Sequence, residues 1–368
     1  GSSLAEERYL PAYETALSKL GARLLVNPQP QKLSWKRSPM GTFMDTETSF
    51  YAGVSTDGVA QAMPFQKDIA RLADVRSSIS MNTARYTGRH YKGLDVSMAI
   101  TAPFYPRDVK LCTAPYFYFD ITVENKSQSA KSGKVFIGEM FLRGEKTSVA
   151  DAGGLKGILA TGSFGEVKRD NLDMLSHPEK YKNVKAEMAL FGETPAAGGE
   201  WMADKFLSSI SPDFAEKPPM RSAGYIAPFS LAPGEKVTLH FIYAGYVKDN
   251  VLFRKDGVDF KFKYTEFFKD INAVVEYAHG ARDAVLKKSA LFESLIEDMS
   301  LPSSYKDFLA YAFQSWMLSI WWGVAPGAPD WFSEMEGDCI IHSTVDVSYN
   351  TVLIYYELWP ELMRMQLE

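Results

Sequence analysis

The chain has 368 residues, 46% of them hydrophobic and 13% aromatic, with a formal net charge of -5. That length exceeds one ordinary compact domain and suits two, and the apolar share excludes a disordered chain. The acidic balance, with no Lys/Arg run longer than a dipeptide, argues against nucleic acid as a partner.

Two cysteines, Cys112 and Cys339, set neither a disulfide framework nor a metal-ligand spacing and read as ordinary buried thiols. No apolar run approaches the roughly 20 residues that span a bilayer. The start carries neither the basic nor the apolar region of a signal peptide, so the compartment stays open.

Residues 4–25 read as a helix or a pair of turns, with Pro11 near the start. From residue 33 to about 268 the signal changes to strands. Leu94, Val96, Met98 and Ile100 alternate with Asp95, Ser97 and Ala99, and Phe117, Phe119, Ile121 and Val123 alternate with Tyr118, Asp120, Thr122 and Glu124. A period of two with one apolar face predicts half-buried antiparallel strands. Further strands are expected over 134–142 and from Val237 through Leu239, Phe241 and Tyr243, and the turn residues between them argue for a β-sandwich. Over 163–222 the pattern fades, and its Pro, Gly and Lys content suggests a long insertion lying over one sheet or rimming a site.

Helical spacing sets in near Tyr264. Phe267, Phe268, Ile271, Val274 and Val275, then Val285, Leu286, Leu291, Leu295 and Ile296, predict a connecting helix pair broken near Gly280. Ser304 and Asp307 have capping-box spacing ahead of a helix through Phe308, Leu309, Ala312, Phe313, Trp316, Met317, Ile320 and Trp321, stopped by Gly323 and Pro326. The reading is therefore a sandwich over 1–263, a helical connector over 264–300 and the start of a helical domain over 301–368. Trp316, Trp321, Trp322, Tyr355, Tyr356 and Trp359 offer more apolar surface than two long helices can hide, so a further part of the chain or another chain is expected to cover it.

Residues 331–358 hold the candidate active centre. Glu334, Glu336, Asp338, His342 and Asp346 crowd together before an apolar, aromatic helix capped by Ser343 or Thr344. Acids beside aromatics are where carboxyl pKa values are driven apart, as acid/base and nucleophilic chemistry requires. In Glu336-Gly337 the glycine lets the backbone turn and present the carboxylate. Glu334 and Asp338 read as plain loop charges, and the cluster has no recognised metal spacing. Trp331, like Trp321 and Trp322, offers a face that suits the C–H patch of a pyranose, although a tryptophan on an apolar face is more often core. His342 reads as a hydrogen-bonded histidine beside the site.

Several motifs in this order resemble glycoside hydrolase family 52, the β-xylosidases, with family 116 as a relative. They are Ser38-Pro39-Met40-Gly41-Thr42-Phe43, the Leu231-to-Glu235 turn, Phe267-Phe268, Glu336-Gly337 followed by Thr344-Val345-Asp346, and Leu358-Trp359-Pro360. The resemblance implies an N-terminal β-sandwich followed by an all-α (α/α)6-barrel-type domain, incomplete over these residues, and a retaining glycosidase acting on a β-xylosidic or β-glucosidic bond. It implies Glu336 as nucleophile and Asp346 as a ligand of sugar hydroxyls; Trp331 and His342, in the same stretch, are expected as further substrate contacts. It implies a carbohydrate substrate, no cofactor and no metal. The acid/base, an Asp far downstream in the family, is expected beyond Glu368. The family's Glu-Tyr-Arg-Met and Asn are replaced here by Asp338-Cys339-Ile340-Ile341 and Ser343. The rival expectation is a non-catalytic carbohydrate-binding or assembly protein on the same scaffold.

Overall fold

The computed structural model describes residues 15–20, 22–27, 32–36, 46–63, 70–140, 146–164, 184–193, 196–199, 222–247, 253–255, 257–334 and 343–367. In chain order the strands are β1 (Thr15–Lys19), β2 (Ala22–Asn27), β3 (Lys32–Lys36), β4 (Thr46–Thr56), β5 (Val59–Ala62), β6 (Ala70–Arg71), β7 (Ala73–Ile79), β8 (Thr83–His90) and β9 (Leu94–Thr101). The short helix α1 (Val109–Thr113) precedes β10 (Tyr116–Asn125), β11 (Lys131–Met140), β12 (Lys146–Ala152), β13 (Leu155–Phe164), β14 (Val184–Gly192), β15 (Ala196–Gly199), β16 (Ser222–Leu231) and β17 (Lys236–Val247). After β18 (Phe253–Lys255) and β19 (Val258–Phe262) come α2 (Ile271–Gly280), α3 (Arg282–Glu297) and α4 (Ser303–Leu318). The chain then forms β20 (Ile320–Val324), β21 (Trp331–Glu334), α5 (Val345–Leu358) and α6 (Pro360–Leu367).

Among the described residues, one sheet runs β1-β2-β3-β4-β11-β16-β15 with β5 and β6 attached, and a second runs β12-β13-β14-β17-β10-β9-β8-β7. Their facing rows build one core, as the alternation of β9 and β10 requires. Leu94, Val96, Met98, Ile100, Phe117, Phe119, Ile121 and Val123 are all buried in it, with β9 paired in register to β10 and β10 to β17. Tyr225 of β16 reaches across to donate to the carbonyls of Lys156 (2.6 Å) and Leu190 (2.9 Å). Asp57 and Gly58 both take positive φ in the two-residue turn between β4 and β5, the geometry that matches strand twist and that glycine adopts without a steric cost.

The outer side of the second sheet is partly roofed by α2, where the Tyr118 hydroxyl donates to the Ala278 carbonyl at 2.6 Å. That roof explains β14, which lies inside the stretch 163–222. Met188, Ala189, Leu190 and Phe191 are buried in succession, so a strand covered on both sides shows no alternation.

Three local expectations are corrected. Residues 15–19 and 22–27 are strands, not a helix: Leu17, Leu20 and Leu24 fit a helical spacing, but β1 and β2 pair with each other and β2 with β3. Ile320 and Trp321 leave the helix for β20, whose continuous apolar run is buried on both faces and pairs with β19 and β21. The N-cap of α4 is Pro302 with no side-chain cap bond, so the Ser304/Asp307 box does not form as expected.

The helices dock on the sandwich through buried polar contacts. Gln314 of α4 accepts from the Ser18 N–H at 2.7 Å and donates to the Met81 carbonyl. Buried Arg23 donates to the carbonyls of Leu318 (2.5 Å) and Ile320. Glu293 of α3 accepts from Ser80 Oγ (2.5 Å) and Asn82 N–H (2.9 Å). A second, aromatic-rich core of Phe104, Phe292, Phe313, Trp316, Trp322, Phe332, Tyr355 and Trp359 fills this junction. The expected architecture thus holds as a sheet-rich N-terminal part and a helical C-terminal part; the described helices do not close a ring.

Candidate active site

The candidate centre is assembled by β20, β21 and α5. Antiparallel pairing sets Ile320 opposite Glu334 and Trp322 opposite Phe332. Trp322, Phe332 and Trp316 surround Tyr355 or one another at centroid separations of 5.5–5.9 Å, edge to face. The aromatic wall thereby seals the end of β21 from water, and Glu334 is only 2% exposed.

The Glu334 carboxylate accepts from Thr351 Oγ1 at 2.8 Å and from the Tyr355 hydroxyl at 3.0 Å. Thr351 and Tyr355 sit four residues apart, hence on one face of α5. Burial raises the Glu334 pKa above the ordinary glutamate value, with the two hydroxyls pulling the other way. Burial also lifts the Tyr355 phenol well above the usual tyrosine range.

The Ser343 N–H donates to the Glu334 carbonyl at 2.7 Å. Ser343 adopts φ +53, a left-handed conformation that asparagine and glycine take more readily than serine. Thr344 then stands at the N-cap position of α5, without a side-chain cap bond.

Of the residues expected from the sequence, Glu336 and His342 lie outside the described residues. Asp346 lies in the first turn of α5, exposed, with its carboxyl held below the usual aspartate range by the Thr344 hydroxyl and first-turn backbone groups. Trp331 opens β21, half-buried against the main core. Trp321 and Trp322 are core residues. Glu334, set aside in the sequence as a loop charge, is instead buried at the end of β21 and bonded to Thr351 and Tyr355. The available signal was the pair of hydroxyls at 351 and 355.

Among the described residues no group of three or more His, Cys, Asp or Glu could hold a metal ion, and no helix is long and apolar enough to cross a membrane. Cys112 is buried and donates to the Tyr105 carbonyl at 3.0 Å, and burial pushes its thiol up to about 12; Cys339 lies outside the described residues. A recess of about 500 Å³ lies elsewhere, on the solvent side of β7–β10 between Arg76, Arg89, Asp95 and Glu124, and shares no lining residue with this site.

Residues 202–363 match glycosyl hydrolase family 52. This family 52 segment runs from before β16 to within α6, and so contains Glu334, Glu336 and Asp346. No curated protein sequence matches the chain.

Solved structures similar to it include a candidate kojibiose phosphorylase from the human microbiome, at 8% identity and a TM-score of 0.45 over 83% of this chain and 39% of that one. A candidate aldose 1-epimerase from Escherichia coli K12 (11% identity, TM-score 0.31) is matched over 64% of this chain and 99% of that one. A polysaccharide lyase, also at 11% identity and 0.31, is matched over 65% and 33%. The chain spans about two fifths of the first of these structures. The match supports a glycosidase-type reading of residues 202–363.

Proposed function

We propose that this chain contributes the nucleophile-bearing part of a retaining β-glycosidase that cleaves a β-xylosidic or β-glucosidic bond. The family 52 match over residues 202–363, which encloses the Glu336-Gly337 loop and the Thr344-Val345-Asp346 turn, carries the reading. Glu336 attacks the anomeric carbon and forms a glycosyl-enzyme. Asp346 takes sugar hydroxyls, and Trp331 and His342 complete the substrate contacts.

A retaining mechanism needs a second carboxyl about 5 to 5.5 Å away, first giving a proton to the leaving oxygen and then taking one from water. In this reading that group comes from helices that complete an (α/α)6 barrel, supplied by a longer form of the chain or by another chain. The exposed apolar row Val345, Tyr349, Leu353 and Tyr356 on α5 gives those helices a surface to pack on.

Glu336→Gln in the intact protein tests this reading. The variant removes the nucleophile but little volume, so hydrolysis of aryl β-xylosides or β-glucosides should fall by at least about a thousandfold with the fold retained. Unchanged turnover would refute the assignment.

A further inference from the structure

The recess of about 500 Å³ on the solvent side of β7–β10 follows from strand register and one bulge. Antiparallel pairing lines up Arg89, Asp95 and Glu124 across β8, β9 and β10, and the next outward row holds Thr87, Ser97 and Thr122. A band of hydroxyls therefore lies beside a band of charges. At the sheet edge the register of β7 slips between Ala73 and Arg76, so that two residues of β7 oppose Gly88 alone, and Asp74 takes φ +50. Such a bulge bends its strand and re-aims side chains, and here Asp74 and Arg76 form one wall of the recess.

The lining is unevenly committed. Arg89 donates to Asp74, and Glu124 accepts from Lys126 at 2.5 Å. Thr122 shares a hydroxyl bond of 2.8 Å with Thr238. The half-buried Asp95 carboxylate and the Thr87 and Ser97 hydroxyls, by contrast, make no side-chain hydrogen bond among the described residues.

We infer that this recess binds a neutral saccharide, at a site on the sandwich that is separate from the candidate catalytic one and independent of the glycosidase reading. Its volume lies within the roughly 300–1,000 Å³ of small-ligand sites. Arg76, Arg89 and Lys126 balance Asp74, Asp95 and Glu124, so charge selects neither an anion nor a cation. What the recess offers is a carboxylate able to accept from two neighbouring hydroxyls at once, flanked by hydroxyls that both donate and accept, with guanidinium donors at the rim. Adjacent ring hydroxyls of a pyranose match that set. No aromatic ring lines the recess, so stacking adds nothing and each sugar is held weakly.

Affinity electrophoresis reads weak binding of this kind. The intact protein is run in native gels cast with soluble xylan, with a soluble β-glucan or with neither, and at least one polymer should retard it. Asp95→Ala removes the uncommitted acceptor and Ser97→Trp fills the floor. Both positions face outward, so each variant should melt as the unaltered protein does while its apparent dissociation constant rises at least about tenfold. Either variant carries the test if the other does not fold. Hydrolysis of an aryl β-xyloside or β-glucoside should stay within about twofold in both, because the recess shares no lining residue with the candidate catalytic site. Folded variants retarded as strongly as the unaltered protein, no retardation by either polymer, or displacement of the polymer by inorganic phosphate at constant ionic strength would overturn the inference. Retardation that depends on Asp95 in a protein that hydrolyses neither glycoside would remove the glycosidase reading and leave the saccharide site standing.

Discussion

The two halves of the molecule treat their apolar side chains differently. In the sandwich, Phe117, Phe119, Ile121 and Val123 of β10 are fully buried, and the Tyr225 hydroxyl that must follow its ring inside finds two carbonyls. On α5 the inward face is as well served, with Tyr355 buried and bonded to Glu334, yet Val345, Tyr349, Leu353 and Tyr356 on the same helix are 70–86% exposed. Phe308 and Tyr305 of α4 add to this surface at 68% and 61%. The sheets satisfy their pattern among themselves. The helices satisfy only the side that meets the sheets.

Substitution should expose that contrast. Phe119→Ala opens a cavity in a fully enclosed core and should cost about 3–5 kcal/mol in urea unfolding, whereas Leu353→Ser on the open side of α5 should change stability by no more than about 0.5 kcal/mol. Equal costs would mean that the exposed row is covered by this chain itself.

Lys19 sharpens the comparison from the polar side. It is fully buried at the junction, with its amine 4.0 Å from the centre of the Tyr116 ring, and burial lowers its pKa from 10.5 to about 7. Because the folded value lies below the unfolded one, the penalty for the charged amine is fully present below about pH 7 and fades as pH rises toward 10.5. Lys19→Met should therefore stabilise the fold by roughly 2–4 kcal/mol at pH 6 and by progressively less toward pH 10.5, as thermal melts across that window would show. A benefit that grows with pH would contradict this sign.

At the loop itself the expected effect is smallest. Ser343→Asn places a residue tolerant of the left-handed region at φ +53 and should gain on the order of 0.5 kcal/mol. A loss of stability would show that the serine hydroxyl matters more than its backbone.

How much of this was legible in the sequence follows from how many faces of each element meet water. β9, β10 and β17 face the core on one side and solvent on part of the other, so their alternation could be read directly. β14 and β20 are buried on both sides, which erases the period and leaves a run that a helix would show equally well. In β1 and β2 the leucines happen to satisfy both periods, and pairing with β3 decides the outcome. At the site, Glu336 and Asp346 stood out through their motif neighbours. Glu334 did not, because its burial is settled by Thr351 and Tyr355, 17 and 21 residues further along the chain, and by aromatics from α4 and β21.

The identity of the nucleophile bears most of the functional account, and trapping it tests that account most directly. Incubation of the intact protein with a 2-fluoro-β-xyloside or 2-fluoro-β-glucoside, followed by proteolysis and mass spectrometry, should place one glycosyl adduct on the carboxyl of Glu336. An adduct on another side chain, or turnover of the parent glycosides with no adduct at all, would contradict it.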